Sequence, residues 1–285
     1  MRFKMILVLI WIAACLPEAD LQNPTDPAFN PLLFKCELLN QCTSFADSTP
    51  SLPVSGAVLW LRSDYNVAQD SSSRVTAWTS LAGSATLMPL DGDLGPNYSA
   101  DAINGQPALS FDGTTFLASD GSVISRDGTT IYVVAHMKNP GSANQSIFAH
   151  SAFTDVSGTN VLYQSSVSTN QLFWFHEYNN GVNVSMTTTG LAVANQWSWF
   201  GWIRDATVPS LEFRYNDTSE TIGFANNATD GKGTRLYIAA SSLDNNITAL
   251  DLAEVIVYAS QLWSSDLRLV ECYIADRYGF AIAGC

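Results

Sequence analysis

Chemistry in this sequence has few places to sit. Its three histidines, His136, His150 and His176, lie far apart in the chain and none has a cysteine nucleophile nearby or follows a Gly-x-Ser-x-Gly elbow. Read as strand residues, Asp251 and Glu254 are three apart and fall on opposite faces, whereas hydrolysis with retention needs two acids about 5 Å apart on one side of the scissile bond. No phosphate-cradling glycine loop and no histidine pair at metal-ligand spacing occurs. What remains is aromatic. Trp174 and His176 share a run with Phe173 and Phe175, and Trp197, Trp199 and Trp202 fall close together in a second run, which puts large rings on both faces of a strand. One face must pack the core, and the other is a platform for sugar rings or a partner protein. Trp174, His176, Trp199 and Trp202 are the ligand-binding candidates.

These side chains need a β-rich body to hold them. From Val54 onward, short apolar runs alternate with Gly, Asn, Asp and Ser, which predicts strands joined by turns. Strands are expected at residues 58–61, 75–78, 85–88, 130–137, 171–178, 197–204, 211–215 and 236–240, with a polar loop over 64–73. Asn104-Gly105 and Asp112-Gly113 are tight-turn signals, and Pro107 sets an extended start to the strand between them. Residues 251–278 organise the rest. A strand at 253–258, dense in β-branched and aromatic residues, is to be covered on both faces. After a short break comes a helix whose Leu267, Val270, Tyr273, Ile274 and Tyr278 make one apolar stripe. Ser264 or Ser265 is expected to cap it, Asp266 sits at its positive end, and Gly279 ends it.

The composition fits that picture. The 285 residues allow one large β domain; 47% are hydrophobic and only 14% charged, so much of the polar surface is Ser, Thr, Asn and Gln. A formal net charge of −13 argues against nucleic acid as a partner, because neutralising phosphates takes a basic surface. Anionic membrane surfaces are disfavoured for the same reason.

The start reads as an export signal: Arg2 and Lys4, then an apolar run over residues 5–14, too short to span a bilayer. Ile12-Ala13-Ala14-Cys15 resembles the lipobox of bacterial lipoproteins, with Ile12 where that family prefers leucine. It implies a cleaved signal at 1–14, lipid on Cys15 and a Pro- and Asp-rich tether over 15–51. The alternative is an ordinary cleaved signal. Five cysteines are odd, and giving Cys15 to lipid leaves Cys36, Cys42, Cys272 and Cys285, which allow three pairings in an oxidising compartment. Proximity favours Cys36 with Cys42 and Cys272 with Cys285. Six Asn-x-Ser/Thr triplets, at Asn97, Asn144, Asn183, Asn216, Asn227 and Asn246, are glycan acceptors only in a host that glycosylates secreted chains.

Three stretches together are similar to landmarks of the concanavalin A-like superfamily, and within it to the laminin G-like domains of bacterial surface proteins. They are Val58-Leu59-Trp60-Leu61-Arg62-Ser63-Asp64, the run from Ile103 through Asn104-Gly105-Gln106-Pro107 to Phe111-Asp112-Gly113, and Ala253-Glu254-Val255-Ile256-Val257-Tyr258. The resemblance covers residues 52–279. It implies an all-β, two-sheet antiparallel jelly-roll sandwich with one C-terminal α-helix, occupying residues 52–285. The expected function is a lectin-like, surface-exposed or envelope lipoprotein that binds carbohydrate or a glycosylated host or matrix protein, touching the membrane through its lipid alone. It would be exported across the inner membrane to the outer membrane or cell surface. The Glu-x-Asp-x-Glu run of the superfamily's glucanases is missing, so no catalytic residue is expected. A glycoside hydrolase with an unrecognised acid pair, and a structural envelope protein without a soluble ligand, stand as alternatives. Relatives often hold calcium through loop carboxylates; Asp64, Asp70, Asp91, Asp93 and Asp112 are loop acids here, but without EF-hand spacing they define no ligand set.

Overall fold

Strand β17 (Ala249–Tyr258) is the axis on which the sheets are hung, because a strand buried on both faces has to be paired on both edges. In the computed structural model, which describes residues 50–90, 92–121, 128–138, 145–151, 160–165, 172–179, 182–187, 195–205, 210–215, 218–223, 235–241 and 247–285, one edge of β17 pairs with Gly128–Met137. The other edge pairs first with Gln106–Asp112 and then with Ala57–Arg62.

In chain order the strands are β1 (Ala57–Arg62), β2 (Val67–Gln69), β3 (Val75–Thr79), β4 (Thr86–Leu87), β5 (Asn97–Ile103), β6 (Gln106–Asp112), β7 (Leu117–Asp120), β8 (Gly128–Met137) and β9 (Gln145–Ser151). They continue as β10 (Asn160–Ser165), β11 (Leu172–Asn179), β12 (Val182–Thr187), β13 (Trp197–Asp205), β14 (Ser210–Tyr215), β15 (Thr218–Gly223), β16 (Arg235–Ile238) and β17, and helix α1 (Ser264–Tyr278) follows. An eight-stranded sheet runs β15-β14-β13-β8-β17-β6-β5, with β1 also on β17. A six-stranded sheet runs β12-β11-β10-β9-β16-β7, and β2, β3 and β4 form a small third sheet. All the pairings between these strands are antiparallel. This is the expected two-sheet sandwich with one C-terminal helix, and its compact unit is Leu52–Cys285.

Two apolar layers hold it together. Between the sheets lie Leu59, Leu61, Val133, Phe148, Phe200, Trp202, Phe213, Leu236, Val255 and Val257, together with Trp78. On the outer face of the large sheet a second layer joins Trp60, Tyr132, Val134, Trp199 and Ile256 to Leu267, Val270, Ile274 and Tyr278 of the helix. That second layer explains why the β17 sequence does not alternate cleanly: helix and core cover its two faces. The turns follow their residues. Asn104 and Gly105 both take positive φ, 47° and 74°, as a two-residue hairpin between Ile103 and Gln106 requires. Asp112 accepts from the amides of Thr114 and Thr115 to close the next turn.

The helix departs from expectation at its start. Neither serine caps it. Trp263 occupies the cap position with no side-chain hydrogen bond, and Ser264 is already helical. Its end behaves as expected, with Gly279 left-handed at φ 74° and its amide donating to the Ala275 carbonyl at 2.8 Å. The Cys272–Cys285 disulfide forms, tying the chain end to the helix. Cys15, Cys36 and Cys42, the signal, the tether and the helical turn expected near Cys36 lie outside the described residues. A short strand, β2, occupies part of the loop expected at 64–73.

Polar anchors fix the helix where hydrophobic packing alone would let it slide. Glu254 is fully buried, and its carboxylate accepts from the Trp60 indole, from Tyr273 at 2.8 Å and from Tyr278 at 2.7 Å. In return the helix sends the buried Glu271 to the sheet, where Arg214 meets it with two nitrogens. Farther along, Arg277 reaches Asp64 at 2.8 Å and Gln106 at 2.7 Å, and Arg62 closes on the same aspartate. Burial would raise the Asp64 carboxyl, but the hydrogen bond from Arg62 and the charge of Arg277 outweigh it and hold it below the ordinary range.

Burial raises the Glu254 carboxyl above its ordinary 4.5, with the Trp60, Tyr278 and Tyr273 hydrogen bonds opposing. The folded protein therefore holds this proton more tightly than the unfolded chain does. The contribution is complete below pH 4.5 and is lost as pH rises through the folded value. Urea denaturation of Glu254→Gln should show a loss of ~1–2 kcal/mol at low pH that narrows as pH rises. A gap that widens with pH would show the carboxylate to be held ionised. Glu254→Leu, which strands three buried donors, should cost ~3–5 kcal/mol.

Candidate functional site

The helix covers only part of the outer face of the large sheet. Where it stops, five residues stand in one row across five neighbouring strands. Trp197 of β13 pairs with His136 of β8, His136 with Asp251 of β17, Asp251 with Ser110 of β6, and Ser110 with Asn97 of β5. Alternation along each strand sets the face. Tyr132 and Val134 pack under the helix while Ile131, Val133 and Ala135 enter the inner core, so His136 and Lys138 follow Val134 outward. Leu109 and Phe111 point inward and leave Ser110 outside; Tyr98 packs on the inner core and leaves Asn97 exposed.

The row is wired by charge. Asp251 takes His136 Nδ1 at 3.2 Å on one oxygen and Lys138 Nζ at 2.6 Å on the other, and the same ammonium donates to Ser110 Oγ at 2.6 Å. These side chains keep 20–31% of their surface in water, so they are ordered by one another yet reachable. The half-buried Trp197 ring lies beside the imidazole, with centroids 5.6 Å apart and planes at 35°. An indole edge, a compensated carboxylate, an ammonium, a hydroxyl and a carboxamide along one line supply an apolar surface for C–H groups and alternating donors and acceptors for hydroxyls. That is the chemistry of saccharide recognition.

It is not a nucleophilic triad as it stands. His136 and Asp251 have the dyad contact, but Ser110 is bonded to Lys138, and Ser198 is buried on β13 opposite Ala135. The acid pair needs a correction. A bulge in β17 between Leu252 and Glu254 lets Asp251 pair with His136 and Glu254 with Val134, so both acids fall on the outer face and not on opposite ones. Glu254 nevertheless offers a substrate nothing, since it is fully buried and both of its oxygens already accept hydrogen bonds. Of the loop acids, Asp64 is held by two arginines, and Asp70 and Asp112 close their own turns. Asp91 lies outside the described residues. Among the described residues no group of three His, Cys, Asp or Glu side chains is placed to hold a metal ion.

The sequence candidates separate. Trp199 and Trp202 are 1% and 3% exposed, the first beneath the helix and the second between the sheets, so as binding platforms both are corrected to core residues. Trp174 and His176 lie on β11, in a region where only the backbone is described. Of the tryptophans between 197 and 202, Trp197 is the one that reaches the surface. Its partners Asp251, Lys138, Ser110 and Asn97 were missed, although a signal for them exists. Strand β8 is apolar at every position from Ile131 to Ala135 and then alternates through His136, Met137 and Lys138; Ala249-Leu250-Asp251-Leu252 alternates likewise. The change from continuous to alternating marks where the face emerges from under the helix.

The same placement predicts two unequal tryptophans. Trp199→Ala should cost ~3–5 kcal/mol in urea denaturation, and Trp197→Ala much less, about 1 kcal/mol. Equal losses would put Trp197 in the core.

No protein-family model matches the chain, and no curated protein matches it in sequence. Among solved structures it is similar to the receptor-binding domain of botulinum neurotoxin type G, with 12% identity, 78% of this chain and 52% of that chain covered, and a TM-score of 0.53. The receptor-binding domain of the botulinum C/D mosaic serotype is similar at 12% identity over 75% of this chain and 50% of that one, TM-score 0.52. A Ruminococcus gnavus sialidase module, CBM40, solved with α2,3-sialyllactose, aligns at 10% identity over 52% and 83%, TM-score 0.43. The chain spans about half the length of the botulinum domains it matches. At these identities the likeness to the botulinum domains establishes a shared β-sandwich fold.

Proposed function

We propose that this chain is a lectin-like sandwich that binds carbohydrate, free or carried on a glycoprotein, through the outer-face row of Trp197, His136, Asp251, Ser110 and Asn97. The observation that carries the reading is the half-exposed indole beside a carboxylate whose charge is already answered by Lys138 and His136. A ligand meeting this face gains stacking and hydrogen bonds without having to neutralise a bare charge, which suits a neutral polyol. The botulinum domains that share the fold are receptor-binding domains by name, and a binding role for this one agrees with that. The lipobox-like start adds an address: with lipid on Cys15, the sandwich would be displayed from a bacterial membrane at the cell surface or in the envelope.

A glycan array probed with the full chain, and matrix glycoproteins before and after deglycosylation, test the binding. At least one glycan should be retained, and Trp197→Ala should weaken it about tenfold, the worth of one aromatic contact, while leaving the fold intact. Failure to bind any glycan, or full binding by the variant, removes the row from the reading. For the anchor, Cys15→Ala should shift the protein from the membrane fraction to the soluble one; unchanged attachment would refute lipidation at that residue.

A further inference from the structure

A second concavity lies away from the row, beside β7, the edge strand of the six-stranded sheet. It is a cavity of about 210 Å³ where the turn between β3 and β4 approaches the end of β7. Its lining is mixed: the half-buried Val58 and Ala85 pack against the inter-sheet core to which Leu236 belongs. Its rim is polar, formed by Ser84, Ser119 and Asp120. Asp120 is held by Arg235 at 2.7 Å, yet 81% of its side chain stays in solvent. Ser84 is exposed.

Two glycines keep the shape. A side chain on Gly83 would begin 2.4 Å from the Val58 carbonyl oxygen, so this wall stands against β1 at backbone contact distance. Gly121 takes φ +110°, a conformation that side chains rarely adopt.

Each property narrows the ligand. The volume lies below the ~300 Å³ at which drug-sized sites begin, so it admits one ring and excludes a chain lying flat. Val58 and Ala85, the partly exposed apolar part of the lining, can meet C–H groups of a ring. The Asp120–Arg235 pair is neutral overall; the Ser119 hydroxyl donates to the Asp120 carbonyl and keeps its lone pairs, so with Ser84 and Asp120 the rim offers acceptors and a donor to neighbouring hydroxyl groups. We propose that this cavity is a second saccharide site, taking a single neutral pyranose at the end of a glycan. It shares no residue with the outer-face row, so either site can fail without the other.

The test uses the full chain and a panel of methyl glycosides of glucose, galactose and mannose, read by saturation-transfer NMR. At least one glycoside should receive saturation from the protein. In a Trp197→Ala background, which removes the aromatic contact of the outer-face row, Ser84→Trp, which fills the cavity from an exposed turn position, should abolish the remaining signal. In the same background Asp120→Asn, which keeps the volume and removes the charged acceptor, should weaken binding about tenfold. The proposal is overturned if no glycoside in the panel is saturated by the Trp197→Ala protein, or if its signal survives both cavity variants. Competition by tetramethylammonium would also overturn it, because the site would then be one for cations.

Discussion

A carboxylate taken out of water must be met by donors, and in this protein the donors for Glu254 come from opposite ends of the chain. Trp60 reaches it from the first strand, and Tyr273 and Tyr278 reach it from the last helix. Satisfying that one group fixes the β1–β17 register, in which Arg62 lies opposite Glu254, and seats α1 on the outer face in one position. Glu271 returns the constraint by drawing Arg214 of β14 toward the helix, so the anchors run in both directions across the same apolar layer. Leu267, Val270 and Ile274 supply the driving force for docking, but hydrophobic contact is not directional. The hydrogen-bonded acids decide which docking is native.

Everything on the outer face follows from where that helix ends. Beneath it the large sheet is apolar apart from the acid and arginines that anchor the helix, and the next row out is polar because it meets water. Trp197 stands at the boundary, against the helix-side apolar layer and beside His136. The charges of the row are paired internally, which contrasts with a chain carrying a net charge of −13. Acidity is thus a property of the whole surface, and the candidate site is a locally balanced exception to it.

The sequence made the architecture legible because strands covered on both faces leave a plain mark. Residues 130–137, 197–204 and 253–258 are apolar runs with no rival interpretation, and Asn104-Gly105 dictates its own turn. Strands β5, β9, β10, β12 and β15 were harder to see. Asn97-Tyr98-Ser99-Ala100-Asp101 and Thr218-Ser219-Glu220-Thr221 lie at sheet edges, where one side is solvent and hydrophobic periodicity fades. The site was legible only in part. That a tryptophan from 197–202 would reach the surface follows from alternation, but which one does depends on the helix lying over Trp199, and no local pattern encodes that. The bulge beside Glu254 is equally silent in the sequence, yet it moves an acid from one face of the sheet to the other.

Aromatic content therefore says little about binding until burial is known. Trp60 and Trp78 are buried and donate their indole hydrogens to Glu254 and to the Arg62 carbonyl, and Trp199 and Trp202 fill the two apolar layers. Trp263 is 70% exposed at the start of the helix, but no companion in the row shares its position. Trp197 differs from both groups. One side of its ring is held by the helix-side layer and by His136, and the rest meets solvent. An aromatic ring held in this way gives up little conformational freedom when a ligand stacks on it, so more of the contact energy appears as affinity. Being mounted on a central strand adds the same advantage to Asp251 and Ser110, whose positions are set by the sheet and not by a loop. Under the proposed reading a ligand would meet a polar row that the fold has already ordered.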